Sequence, residues 1–152
     1  MRKTLEELWR KTRRPTVQYA GQTVHRAVFK EVRKPGRFIV RFLKAVEKPV
    51  QGLSIDIDPG DLVIEDTTSP KMILRLDTCP DVVEAHYRPS SRGSKITFYN
   101  SWINEDDGID SGLRHFGMLV EETGNKMTLR CSDGRGEPTF DDLIVEIEFP
   151  VD

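Results

Sequence analysis

Val24-His25-Arg26-Ala27-Val28-Phe29, then Lys34-Pro35-Gly36-Arg37, then Phe38-Ile39-Val40-Arg41-Phe42-Leu43 is the stretch that decides the fold. Apolar and polar side chains alternate on both sides of a Pro-Gly turn. That is the period of a strand with one face in a core and the other in water. The pattern repeats downstream. Leu53, Ile55 and Ile57 alternate with Ser54, Asp56 and Asp58, and Asp58-Pro59-Gly60-Asp61 turns the chain before Leu62-Val63-Ile64. Met72, Leu74 and Leu76 alternate with Ile73, Arg75 and Asp77, and Val83, Ala85 and Tyr87 with Val82, Glu84 and His86. Ile96, Phe98, Asn100 and Trp102 share a face opposite Lys95, Thr97, Tyr99 and Ser101. Leu143, Val145, Ile147 and Phe149 do so opposite Ile144, Glu146 and Glu148.

One hairpin can be placed by register. Gly124-Asn125 as a two-residue loop pairs Thr123 with Lys126 and Val120 with Leu129. Met118, Val120, Leu129 and Cys131 then share one face and Glu121 lies opposite Thr128 on the other, which predicts a buried Cys131.

The helical signal is confined to the N-terminus. Thr4 and Glu7 form a capping box, and Leu5, Leu8, Trp9 and Thr12 fall on one face before Arg13-Arg14-Pro15 ends the element. About ten residues cannot hold a helix alone in water, so it must dock or fray. Some nine or ten strands with turns between them and no crossover helices predict an all-β fold, an antiparallel two-sheet β-sandwich or jelly roll with one short N-terminal helix; a barrel is the alternative. The organisation expected is a basic helix or arm over residues 1–14 and a single β-sandwich domain over 15–152.

The chain has 152 residues, 37% hydrophobic and 32% charged, and a net charge of −2. The net value hides an asymmetry. Residues 1–48 carry 14 Lys/Arg against 4 Asp/Glu, residues 49–99 carry 5 against 8, and residues 100–152 carry 4 against 13. Such a split means complementary faces within one fold or between subunits, or two sites for ions of opposite sign. There is no apolar run long enough to span a membrane and no apolar leader, so a cytoplasmic protein with free Cys79 and Cys131 is expected. Removal of a leader would make a Cys79–Cys131 bridge the alternative.

Two loops concentrate acid: Asn104-Glu105-Asp106-Asp107-Gly108-Ile109-Asp110, and 133–142, which carries Asp133, Asp141 and Asp142. Hard cations take several oxygen ligands from such loops, so Asp106, Asp107, Asp110, Asp133, Asp141 and Asp142 are the candidate calcium ligands. An EF-hand is excluded: setting Asp107-Gly108 at its fifth and sixth positions puts Ile103 first and Arg114 last. The alternative is that these acids are ordinary turn and strand-end residues. Cys131-Ser132-Asp133-Gly134 followed by Phe140-Asp141-Asp142-Leu143-Ile144-Val145 resembles the Asp-rich loop-then-strand element of calcium-binding β-sandwiches. The resemblance implies calcium as the ion.

Other chemistry is poorly provided for. His25, His86 and His115 lie in separate segments without H-x-H or H-E-x-x-H spacing. A zinc site would have to gather His86, Glu84, His115 and a cysteine from afar. His86 beside Glu84 reads instead as a surface pair. No G-x-S-x-G elbow, catalytic-cysteine signature or phosphate-binding glycine loop occurs, so no enzymatic activity is expected.

The remaining lead is basic: Arg2, Lys3, Arg10, Lys11, Arg13 and Arg14 surround Trp9, and Arg26, Lys30, Arg33, Lys34, Arg37, Arg41 and Lys44 follow. A basic arm ahead of a β-sandwich resembles in outline the layout of some viral coat proteins. Tyr99, Trp102, Trp9 and Phe116 are candidate aromatic anchors for a partner or a sugar, with Tyr99 expected to be the exposed one. The leading expectation is a non-enzymatic β-sandwich that binds a protein partner, or itself as a homo-oligomer, through charge-complementary faces. Arg10, Lys11, Arg13, Arg14 and Tyr99 are its contact residues. The alternatives are a calcium-supported carbohydrate- or ligand-binding module using the 104–110 and 133–142 loops, and a nucleic-acid-associated or assembly protein using the basic N-terminal part.

Overall fold

A computed structural model of the chain describes residues 3–151; Arg2, one of the basic residues above, lies outside that range. Strands hold 56% of the residues and helix 4%, which makes the fold all-β. One helix, α1 (Leu5–Arg10), precedes fourteen strands. They are β1 (Thr16–Tyr19), β2 (Gln22–His25), β3 (Val28–Val32), β4 (Gly36–Ala45), β5 (Gln51–Asp58), β6 (Gly60–Ile64) and β7 (Thr67–Ser69), then β8 (Lys71–Arg75), β9 (Val82–Pro89), β10 (Ser94–Ile103), β11 (Ile109–Asp110), β12 (Gly117–Thr123), β13 (Lys126–Ser132) and β14 (Leu143–Glu148). Nine form one antiparallel sheet in the order β1-β2-β12-β13-β14-β4-β9-β6-β7. The second sheet runs β11-β10-β5-β8, with β3 also on β10.

The two sheets meet through the alternating residues. Phe38, Val40, Ala85, Leu129, Cys131, Leu143, Val145 and Ile147 come from the first, and Leu53, Ile55, Ile57, Ile96 and Phe98 from the second, all buried. The Phe38 and Phe98 rings, one from each sheet, stand edge to face at 5.3 Å. The predicted hairpin has the register read from the sequence: Thr123 opposite Lys126, Val120 opposite Leu129, Met118 opposite Cys131. Both cysteines are free thiols, and complete burial of Cys131 pushes its thiol far above the usual range.

Two sequence expectations need correction. The run 24–29 is not one strand: β2 ends at His25 in the nine-stranded sheet and β3 begins at Val28 in the other. Arg26-Ala27 carries the chain between sheets, and the unbroken alternation arises because Val24 and Val28 are both buried, in different clusters. The helix is also shorter than about ten residues. Lys11 caps it, donating its N–H to the Leu8 carbonyl at 3.2 Å, while the capping box of Thr4 and Glu7 forms as expected. Leu5 and Trp9 tie α1 into a second apolar cluster with Val24, Trp102, Phe116 and Phe140. The Trp9 ring N–H donates to the Phe116 carbonyl at 2.8 Å, and the Arg26 guanidinium lies 4.6 Å over the indole.

The charge split is resolved in part inside the nine-stranded sheet. β4 from the basic part lies beside β14 from the acidic part. Arg41 bridges Glu146 at 3.0 Å and Glu148 at 2.7 Å, and Lys44 reaches Asp141 at 3.4 Å. These are the complementary faces within one fold that the composition allowed.

Candidate functional site

The strands end on a group of long loops that gather beside α1. Trp102 closes β10, Phe116 precedes β12 and Phe140 precedes β14, and all three pack in the cluster that holds α1. The loop end therefore carries the 104–116 and 133–142 segments together. Three of the five non-glycine residues with positive φ among the described residues are here: Asp107 (61°), Arg114 (53°) and Phe140 (58°). Side chains avoid that region unless the surroundings impose it, and such strain gathers where loops serve a site. A cleft of about 360 Å³ opens between the loops, lined by Pro49, Trp102, Asp106, Asp110, Arg114 and Arg135 among others. Gly134 lets its walls approach. A Cβ there would stand 2.5 Å from the Leu113 carbonyl oxygen and 2.9 Å from the Trp102 ring.

The six candidate metal ligands do not share one environment. Asp106 and Asp107 are exposed. Asp107 pairs with Arg75 at 3.6 Å, and Asp110 accepts a hydrogen bond from the Asn104 side chain at 3.2 Å. Asp141 accepts a hydrogen bond from the Thr139 hydroxyl, which chiefly keeps its carboxyl below the usual range, and Lys44 adds to the effect. Asp133 and Asp142 are the inner pair. Asp133 is 3% exposed, and its N–H donates to the Asp142 carboxylate at 3.0 Å. Burial, reinforced by the charges of Asp133 and Asp141, raises the Asp142 carboxyl. Among the described residues no three His, Cys, Asp or Glu side chains come close enough to hold a metal ion between them.

The inner residues that sequence reasoning passed over are polar. The Gln51 side-chain N–H donates to Asp133 at 3.0 Å and to the Pro49 carbonyl at 3.1 Å. The Asn100 side-chain N–H donates to the Ser132 carbonyl at 3.0 Å. Both residues are fully buried, and neither side-chain oxygen, Gln51 Oε1 or Asn100 Oδ1, has a partner among the described residues. A signal was present in the sequence: Gln51 and Asn100 occupy inward positions of runs that are otherwise apolar.

The candidate contact residues are spread out. Arg10 pairs with Glu6 inside α1 at 2.8 Å. Lys11, Arg13 and Arg14 are exposed beyond it. Tyr99 is half-buried on the outer face of the five-stranded sheet, with Lys71 6.0 Å from its ring centre. Trp9, Trp102 and Phe116 are core. His86 lies 3.7 Å from Glu84 on the surface, the pair read from the sequence.

Fold and loop end together define an antiparallel two-sheet β-sandwich with a polar cleft at one end. No family model, curated protein or solved structure matches the chain. Among the described residues no helix is long and apolar enough to cross a membrane.

Proposed function

We propose that the protein is a non-enzymatic interaction module that binds a protein partner, a second copy of the chain included, through oppositely charged ends of its sandwich. The observation that carries this reading is the charge left over once the sheet has paired its own. The turns at 33–35 and 90–93 touch, with Gly93 packed near the Arg33 stem. Around them Arg33, Lys34, Arg88, Arg92 and Lys95 are exposed and have no carboxylate within ion-pair distance among the described residues. Glu31, Asp58 and Asp61 border this corner and leave it net basic. At the other end Glu105, Asp106 and Glu137 are exposed and equally unpaired, beside Arg114 and Arg135, which are also exposed and without a carboxylate within ion-pair distance among the described residues. β10 runs from one end to the other, Ser94 to Ile103, about 30 Å at the rise of a strand.

Opposed charges at opposed ends suit head-to-tail contact, in which each molecule offers a different surface to each neighbour. Sedimentation velocity at low and at about 1 M salt tests it, since the Debye length falls from about 10 Å at 0.1 M to about 3 Å. Association at low salt that disappears at high salt supports the reading. A monomer at every concentration and salt removes self-association from it.

A further inference from the structure

We propose that the free edge of β9 at Val82 and Glu84 is a docking site for an extended basic segment of a partner protein, which pairs with it as an added antiparallel strand. The proposal starts from where the nine-stranded sheet is left open. In an antiparallel ladder alternate residues send their N–H and C=O groups to opposite sides. The Phe42 N–H donates to the Asp81 carbonyl at 2.9 Å, so Asp81, Val83 and Ala85 face β4. Val82, Glu84, His86 and Arg88 therefore turn away from β4. His86 and Arg88 are met by Val63 and Asp61 of β6, and the ladder stops there. It stops because Glu65-Asp66, a two-residue loop with Ile64 opposite Thr67, turns β6 back into β7. Among the described residues no strand lies beside Val82 and Glu84 on that side, and no other hydrogen bond reaches their backbone groups. An unpaired edge of this kind is a template for another strand.

The second observation is apolar. A cleft of about 470 Å³ opens along this edge, lined by Ile64 and Val83 of the first sheet, by Leu74 of the second, and by Cys79 and Pro80 of the β8–β9 connection. Val82 itself is 54% exposed, an apolar side chain on an unpaired edge. A strand laid beside Val82 and Glu84 would turn alternate side chains inward to the cleft and the others outward, level with Val82 and Glu84.

Charge selects the occupant. Glu65 lines the cleft, and Asp66 and Asp81 adjoin lining residues in the chain. All three are exposed and have no Lys, Arg or His within ion-pair distance among the described residues. The basic groups on the same strands are already engaged. Arg37 pairs with Glu84 at 2.9 Å, Arg75 with Asp77 at 3.0 Å, and Arg41 with Glu146 and Glu148, while His86 lies 3.7 Å from Glu84. The rim is left with three unpaired acids. Two copies of this edge would set acid against acid, so a second copy is not the occupant. A segment alternating apolar residues with Lys or Arg fits all three features: its backbone suits the open edge, its apolar side chains the cleft, and its cations the rim. The inference does not depend on the charged ends invoked above.

The probe is a short capped peptide alternating lysine with valine, titrated calorimetrically into the full chain at low salt. It should bind, and the same peptide with glutamate in place of lysine should not. With valine in the cleft, the lysine residues stand opposite Val82 and Glu84 and donate to them. N-methylation of the lysine amides should therefore weaken binding roughly tenfold, whereas N-methylation of the valine amides, which point away, should leave it unchanged. Hydrogen exchange at the Val82 and Glu84 amides should be fast in the free protein and slow in the complex. Glu65→Lys with Asp81→Lys should lose the lysine peptide and accept the glutamate one. The comparison of peptides uses the native chain, so it decides the matter even if that variant misfolds. Absence of binding overturns the proposal. Equal binding of the two N-methylated peptides, or binding of the lysine peptide that survives the charge reversal, is general attraction and overturns it too. Protection of Val82 and Glu84 that rises with protein concentration alone would make a second copy the occupant and overturn it equally.

Discussion

Trp9 shows how much of the architecture one side chain can hold. It is 7% exposed, stacks on Phe116 with ring centres 5.1 Å apart, and satisfies the Phe116 carbonyl through its ring nitrogen. Trp9→Ala should cost about 3–5 kcal/mol in chemical denaturation, because it opens a cavity and leaves a buried carbonyl unpaired. A loss below about 0.5 kcal/mol would mean that α1 is frayed in solution. His25 offers a pH test at the same scale. Burial, only partly offset by the charge of Glu122, holds its imidazole below the ordinary value of about 6.5. The unfolded chain therefore takes up this proton at a higher pH than the folded one. The His25 contribution is complete above the unfolded value and is lost as pH falls through the folded one. The unfolding free energy should decline from pH 7 toward pH 5, and less steeply in His25→Asn. Equal slopes in the two proteins would exclude His25 as the cause.

At the scale of the element, legibility followed periodicity. The β12–β13 hairpin was readable to the residue because Gly124-Asn125 fixes the turn and Met118, Leu129 and Cys131 fix the face. The short strands β1, β2, β7 and β11, of two to four residues, carry too few side chains for a period to show, so fourteen strands stand where about nine or ten were expected. The crossover at Arg26-Ala27 was hidden because alternation cannot reveal which of two sheets a residue faces. Inner polar residues were hidden for a related reason: Asn100 was seen on the core face, but its partner Ser132 lies 32 residues away. Leu129→Ala tests the hairpin. Its side chain is fully buried, so the change should cost about 2–5 kcal/mol. The Arg41 bridge to Glu146 and Glu148 is a contrasting element-scale contact. Its three side chains are 20–35% exposed, so water screens the pairs and they add little to stability. Hydrogen bonding to Arg41 holds the Glu148 carboxyl low, so this contribution is present above the unfolded value and fades only as pH falls through the folded one.

At the scale of the whole molecule, the question is what the unpaired charge does. The split between residues 1–48 and 100–152 first suggested two faces. Pairing of β4 with β14 absorbs part of it, and α1 with Lys11, Arg13 and Arg14 lies at the acidic end rather than opposite it. What is left for a partner is the basic corner at 33–34 and 88–95 and, at the other end, the acidic loops together with the exposed Lys11, Arg13 and Arg14. A charge-swap experiment separates specific docking from general stickiness. Arg33→Glu with Arg92→Glu and Lys95→Glu makes both ends acidic. Glu105→Lys with Asp106→Lys and Glu137→Lys makes both basic. All six sites are exposed, where substitutions usually change stability by less than about 0.5 kcal/mol, so both proteins should fold. Each alone should be monomeric at low salt, because like ends repel. Mixed, they should associate, since every basic end now meets an acidic one. Because the contact is heterologous and need not close, the mean mass should keep rising with concentration instead of stopping at a dimer. Association of either variant alone, or a mixture that stays monomeric while the parent protein associates, would show that the docking surfaces lie elsewhere on the sandwich.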